Sequence, residues 1–188
     1  MTVECPDVEV ESGVEAEPLA GLAVRARDGD SAAFEGLYRR LARSVHAVLL
    51  ARVRPSDAEE LTQEVFLRAH QRLRMLEDPA LVGPWLHAMA RNAAIDRLRS
   101  RGRRPQEETL TDRSARAERS DDELRARMLE HIRALPEAYR ETLMMRLVDG
   151  LDGPAIAEAT GLTHASVRVN LCRGMEMLRS RLKEEGWP

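Results

Sequence analysis

From Leu19 to Lys183 the apolar residues recur every three or four positions, the period of an α-helix and not the alternation of a strand. Asp30-Ser31 can cap a helix whose face carries Phe34, Leu37, Tyr38, Leu41, Val45 and Val48, and Pro55 stops it. Ser56 with Glu59 three residues later reads as a capping box for the next helix. That helix buries Leu61, Val65, Phe66, Ala69 and Leu73. Glu77-Asp78-Pro79 and Gly83-Pro84 bracket a loop, and a long helix follows from about Trp85 to Arg101, ending near Gly102. Pro105 to Asp122 lacks periodicity and reads as a linker. Beyond it lie four helix patterns: Asp122–Ala134, Pro136–Val148 with proline in its first turn, Asp152–Thr160 and Thr163–Lys183. The pattern predicts an all-α protein: two small helical domains, 19–104 and 123–184, joined by a flexible linker, 105–122, behind a disordered acidic tail, 1–18. No internal repeat of twenty residues or more is present.

Composition sharpens this picture. Aromatics are 3% of the 188 residues, so Ala, Leu, Val and Met must build the core, which favours packed helices over a β-sandwich. So few rings also argue against RNA recognition by stacking. The longest run free of Asp, Glu, Lys and Arg, between Asp78 and Arg91, is twelve residues with two prolines, too short to span a bilayer. No secretory signal is visible, and Cys5 and Cys172 make neither a disulfide framework nor a metal quartet. The expectation is a cytoplasmic protein without membrane insertion.

The net charge of −3 hides a segregation. The chain up to Val24 carries −6, Arg25–Arg104 carries +6, Pro105–Glu123 carries −4 and the remainder +1. Acidic spacers alternating with basic blocks suggest two modules, a tail and a linker. Only one of the 29 basic residues, Lys183, is a lysine, a uniform bias that says little about any single site.

Three segments stand out. Asp152-Gly-Pro-Ala-Ile-Ala-Glu-Ala-Thr-Gly-Leu-Thr-His-Ala-Ser-Val-Arg-Val-Asn-Leu meets the demands of a helix-turn-helix. Ala157, Gly161, Leu162 and Val167 sit where a small crossing residue, a tight turn and apolar anchors are needed. Thr163 can cap the second helix, leaving His164, Ala165, Ser166, Arg168, Val169 and Arg173 near its exposed start. The same pattern also fits a plain helical hairpin in a core. Arg97, Arg99, Arg101, Arg103 and Arg104 crowd one helix end, as either a nucleic-acid contact or a solvated face that complements the helix dipole. In Asp57-Ala-Glu-Glu-Leu-Thr-Gln-Glu-Val-Phe-Leu-Arg-Ala the apolar face is used for packing, so Asp57, Glu60, Gln63 and Glu64 project elsewhere. That acidic stripe is a solvated face or, if functional, faces a protein, since it repels DNA. The five histidines are scattered singly, and no HExxH, cysteine pair, glycine-rich phosphate loop or GxSxG occurs, so no catalytic residue, metal site or cofactor is assigned.

Taken in order, these segments resemble a sigma factor of the sigma-70 family in its extracytoplasmic-function (ECF, group IV) class. The acidic helix resembles region 2.2. Trp85-Leu-His-Ala-Met-Ala-Arg-Asn-Ala-Ala-Ile-Asp-Arg-Leu-Arg-Ser-Arg resembles regions 2.3 to 2.4, and Leu135-Pro-Glu-Ala-Tyr-Arg-Glu-Thr-Leu-Met-Met-Arg through Leu182 resembles region 4. The resemblance implies an initiation factor, not an enzyme, that directs core RNA polymerase to promoters and assists opening. Asp57, Glu60, Gln63 and Glu64 would dock on the clamp helices of β′, with further contact to the β subunit. The loop Glu77–Pro84 with Trp85, Arg91, Asn92, Asp96, Arg97, Arg99, Arg101 and Arg103 would open and read the −10 element. Thr163, His164, Ser166, Arg168, Asn170 and Arg173 would enter the −35 major groove, where a bidentate arginine contact discriminates by ~1–3 kcal/mol. Seventeen peptide steps from Pro105 to Asp122 span at most about 56–60 Å, enough to tether two separated readers. Relatives are often held inactive by an anti-sigma protein.

The chain departs from its relatives in one place. Where they often show Lys-Ser-Arg-Leu-His-Arg-Ala-Arg, it has Arg168-Val-Asn-Leu-Cys-Arg-Gly-Met175, which is less cationic, and Gly174 costs that helix about 1 kcal/mol relative to Ala. The competing reading is a stand-alone helix-turn-helix regulator, which has no need of the acidic helix or the Trp85–Arg104 block.

Overall fold

The structure, a computed structural model, describes residues 17–102 and 118–186. Residues 1–16 of the acidic tail, 105–117 of the linker, Arg103 and the Arg101 side chain therefore lie outside the described residues, and the end of the expected linker, from Glu118, is already helical. Among the described residues there are eight α-helices: α1 Leu19–Arg27, α2 Ser31–Leu50, α3 Pro55–Arg72, α4 Val82–Gly102, α5 Glu118–Arg133, α6 Glu137–Leu147, α7 Gly153–Thr160 and α8 His164–Glu184. Short 3-10 turns, Leu73–Met75 and Pro79–Leu81, fill the segment between α3 and α4.

Most boundaries follow from local chemistry. The Asp30 carboxylate accepts from the backbone N–H groups of Ala32 and Ala33, satisfying two donors that a helix start leaves unpaired. Asp152 does the same for Ala155 at the start of α7, and Thr163 for Ser166 at the start of α8. Two expectations fail. Pro55 does not end a helix but opens α3, where its missing N–H costs nothing; Ser56 and Glu59 then lie inside the helix, and the N-cap is Arg54, without a side-chain cap. Residues 79–84 are not a plain loop either: α4 begins at Val82, with Pro84 in its first turn.

α2 is the central helix, packed against α1, α3, α4 and α6. Of its predicted face, Leu37, Leu41, Val45 and Val48 are buried, Phe34 is half-buried and Tyr38 is exposed, and Leu61, Val65, Phe66, Ala69 and Leu73 close over it from α3 and the following turn. Phe66 sits edge-on to Tyr38 with ring centroids 4.8 Å apart, joining α2 and α3 at their solvent rim. Leu86, Ala90 and Ala94 of α4 complete this core. In the C-terminal half, Leu143, Met144 and Met145 of α6 pack with Ile132, Ile156, Val167 and Leu178. Each such large side chain removed from water contributes about 1.5–3 kcal/mol. The two halves do not stand apart: α6 lies on α2, α7 lies on α4, and the buried apolar residues form one continuous cluster.

Two positions carry direct consequences. Gly174 is buried where α8 crosses α6, and a Cβ there would sit 3.0 Å from Leu143 Cδ1 and 3.2 Å from Tyr139 Cβ. The glycine that weakens the isolated helix is what lets the two helices approach. Substituting Gly174→Val is expected to lower stability by about 2 kcal/mol through overpacking, read as a lower thermal midpoint; an unchanged or raised midpoint would refute the crossing argument. His87, on α4 and fully buried, lies 3.0 Å from the Ser44 hydroxyl, and burial pushes its pKa down to about 4. The unfolded chain binds a proton at this site near pH 6.5, but the folded chain does not until about pH 4. This contribution to stability is therefore complete above about pH 6.5 and is lost as pH falls through that window. His87→Gln should flatten the loss of thermal stability between pH 7 and pH 5; equal slopes in both proteins would count against it.

Candidate polymerase and promoter interface

The acidic helix α3 does not present its four singled-out residues alike. Glu60 and Gln63 are exposed and Glu64 is half-buried, but Asp57 is buried, contrary to the expectation that it projects away from the core. The cause is Arg97 of α4. Its guanidinium donates to Asp57 Oδ1 at 2.9 Å and Glu60 Oε2 at 2.8 Å, and lies 3.5 Å from Glu64. Glu60 first, and then Asp57, hold Arg97 more firmly protonated than an ordinary arginine. One guanidinium thus ties α3 to α4, so Arg97 is not open to solvent as a phosphate ligand.

On α4, helical spacing separates the remaining residues. Asn92, Asp96 and Arg99 recur at intervals of four and three, lie on one exposed face, and include an Asp96–Arg99 pair at 4.0 Å. Trp85 and Met89 are half-buried near the start of the helix. Arg91 points to another side, where Nε and Nη2 each donate at 3.0 Å to the two oxygens of Glu141 on α6, and Glu137 stands 3.6 Å away. Arg52, in the turn that follows α2, reaches the same Glu141 at 2.7 Å and also pairs with Glu137. Burial alone would push the Glu141 carboxyl up, yet Arg91 and Arg52 hold it below the ordinary carboxylate range. Neither Glu137, Glu141 nor Arg52 stands out in the sequence. They read as routine polar positions, and only the fold brings them together.

The helix-turn-helix forms from α7 and α8. Gly161 between them has φ of 72°, the left-handed region that favours glycine, and Ile156, Ala157 and Val167 are buried beneath the turn. Leu162, expected as an apolar anchor, is exposed instead, since the turn carries it past the core. Thr163 and Ser166 hydroxyls bond each other at 2.9 Å beside the cap, while His164, Arg168 and Arg173 are exposed and Asn170 is half-exposed. The first turns of α8 thus show an open face of the kind a major groove accepts.

Among the described residues no group of three or more His, Cys, Asp and Glu side chains could hold a metal ion, and no helix is long and apolar enough to cross a membrane. The family profile described as Sigma-70 region 2 matches residues 37–104, and that described as Sigma-70, region 4 matches residues 125–178. The chain is 34% identical over 165 residues to the RNA polymerase sigma factor CarQ of Myxococcus xanthus, covering 85% of this chain and 95% of that protein. It is 26% identical to the ECF RNA polymerase sigma-E factor of Haemophilus influenzae, covering 86% and 94%. Its fold is shared with CnrH, solved in complex with the cytosolic domain of CnrY, at a TM-score of 0.58 and 21% identity over 89% of this chain and 99% of that one. With both regions matched in order by helices that pack as described, the chain belongs to the sigma-70 family of RNA polymerase sigma factors, in its ECF class.

Proposed function

We propose that this protein is a promoter-specificity subunit: it binds core RNA polymerase, directs it to promoters with defined −35 and −10 elements, and assists duplex opening. The observation that carries this reading is the presence, in one chain and in order, of a region 2 helical unit and a helix-turn-helix with an exposed recognition face. The stand-alone regulator does not account for the first of these.

The roles divide by charge and exposure. Glu60, Gln63 and Glu64 offer an acidic surface for the basic clamp helices of β′, with Asp57 acting behind them by fixing Arg97 and so the α3–α4 angle. Asn92, Asp96 and Arg99 form the open polar stripe for the −10 strand, Arg91 joins it when released from Glu141, and the segment Glu77–Pro84 with Trp85 lies beside it to receive an extruded base. Opening a base step costs a few kcal/mol, which such a pocket must return. His164, Arg168, Asn170 and Arg173 face the −35 groove, with Thr163 and Ser166 holding the helix start that approaches the bases. No catalytic step is assigned to the chain; the chemistry belongs to the polymerase. Its place of action is the cytoplasm, with core polymerase and promoter DNA as partners. An anti-sigma protein fits the same surfaces.

Run-off transcription with core polymerase from the source bacterium, over a genomic promoter library, is expected to yield discrete transcripts only when the protein is added, with shared elements upstream. Failure to bind core would sink the proposal and favour the stand-alone regulator. The less cationic α8 predicts weak −35 anchoring. Asn170→Arg should tighten binding of the holoenzyme to a −35 duplex about tenfold, in line with one added charge-assisted base or phosphate contact. No gain in affinity would count against that assignment.

A further inference from the structure

One row of side chains on α8 has no part in the roles given above. The inward row is Val167, Leu171, Gly174 and Leu178, spaced by four, three and four; Val167, Gly174 and Leu178 are buried, and Leu171 packs against the core. At about 100° per residue, Val169 stands about 200° round the helix from Val167, and Ala165 about 160°. In the first two turns these two side chains therefore point most directly away from the core. Val169 is 44% exposed, and Ala165 is exposed one turn before it. Arg168 and Asn170 lie about 100° to either side of Val169, and Arg173 is exposed one turn beyond it. The outermost line of the recognition helix is thus aliphatic at its start, with polar groups beside it. A lone valine on a surface is ordinary. This one occupies the line that a helix-turn-helix sends deepest into a groove.

We infer that Val169, with Ala165 beside it, reads the C5 methyl group of a thymine in the −35 major groove, so that a T·A pair is specified there by apolar contact. The inference rests on the functional reading above and adds a base-specific determinant to it. Every base edge in the major groove offers hydrogen-bonding groups, but thymine alone adds a methyl. Aliphatic side chains pressed on a guanine O6 or a cytosine amino group would strip its water without replacing the hydrogen bond, which costs affinity. Against a thymine methyl, both surfaces leave water together. A β-branched side chain on a helix keeps to one strongly preferred rotamer, so the two Val169 methyls are offered in one orientation. The helix start is fixed as well, by the Thr163 hydroxyl that accepts from the Ser166 N–H at 3.1 Å. Arg168 and Asn170 face the groove walls, where phosphates run, and Arg173 reaches toward a neighbouring base edge. Glu176, two turns beyond Val169 on the same row, is a carboxylate that phosphates repel, so α8 enters DNA by its first turns.

The test uses holoenzyme assembled from the full chain and core polymerase, and a promoter recovered by run-off transcription with its −35 element randomised. Selection for binding should fix a T·A pair at one position or more. In the selected duplex each thymine is then replaced, one at a time, by deoxyuridine, which keeps every hydrogen bond and lacks only the methyl. One such replacement should weaken binding about fourfold, the effect of burying a single methyl group. Val169→Ser should bind the thymine and deoxyuridine duplexes equally at that position, and Val169→Ile should keep the difference. Both variants change an exposed side chain that touches no core residue's place in the inward row, and circular dichroism checks that their helices are intact. A selected element without a fixed T·A pair, equal binding of thymine and deoxyuridine by the native holoenzyme, or a difference that persists undiminished in Val169→Ser would overturn the inference. So would a Val169→Ser variant that loses affinity for core polymerase while keeping the thymine preference, since the side chain would then face protein. A chain that never binds core sinks the sigma-factor reading and this inference with it. A holoenzyme that selects an element with no dependence on that methyl overturns this inference alone.

Discussion

A single buried carboxylate, Glu141, ties α6 to the N-terminal half of the molecule through Arg52 and Arg91. Left unpaired on α6, it would carry the full cost of losing water, and its removal from a paired state typically costs 3–5 kcal/mol when both partners are buried. Arg91 is about a third exposed, so the effect here is smaller. The direction stands: the charge is tolerable only because the turn after α2 and helix α4 deliver Arg52 and Arg91 to it. Around that triad the apolar surfaces of α2 and α6 come together, with Leu49 and Leu50 buried on one side and Met144 and Met145 on the other. What sequence reading treats as two modules on a tether is, in the polymerase-free molecule, one packed body.

The same device recurs between α3 and α4, where Arg97 gathers Asp57, Glu60 and Glu64. The arginine-rich composition thus has an internal use. A planar guanidinium can serve two carboxylates at once, which a lysine ammonium does less well, and each such bridge fixes the angle between two helices. Charged residues that look available to DNA or polymerase are therefore of two kinds. Arg97 and Asp57 are spent on joining α3 to α4, while Asp96, Arg99, Arg168 and Arg173 are exposed. The division matters for function, because an initiation factor must offer well-placed polar groups to two partners without losing the geometry that places them.

Close backbone approach is the second constraint. Gly174 lets α8 lie against α6, and Gly83 lets α4 lie against α7. The first sets the angle at which the recognition helix leaves its domain, and the second sets how tightly the two domains meet. Both govern helix placement through the absence of a single methyl group.

The sequence by itself determined the elements and the family. Helical periodicity, the caps at Asp30 and Thr163, and the spacing of the helix-turn-helix are local properties, set by residues within a turn or two of each other, so they are legible without a fold. The apolar faces of α2 and α3 were legible for the same reason. The start of α3 was not, because Pro55 can end one helix or begin the next, and neighbours in space decide which. Nor was the difference between Asp57 and Glu60, three residues apart on one helix yet buried and exposed, since Arg97 lies forty residues downstream of Asp57. The clasp of Arg52, Arg91, Glu137 and Glu141 was equally hidden. Its members read in the sequence as routine polar residues, one in the turn after α2 and the others on α4 and α6, and only tertiary structure decides which charges meet each other and which stay exposed.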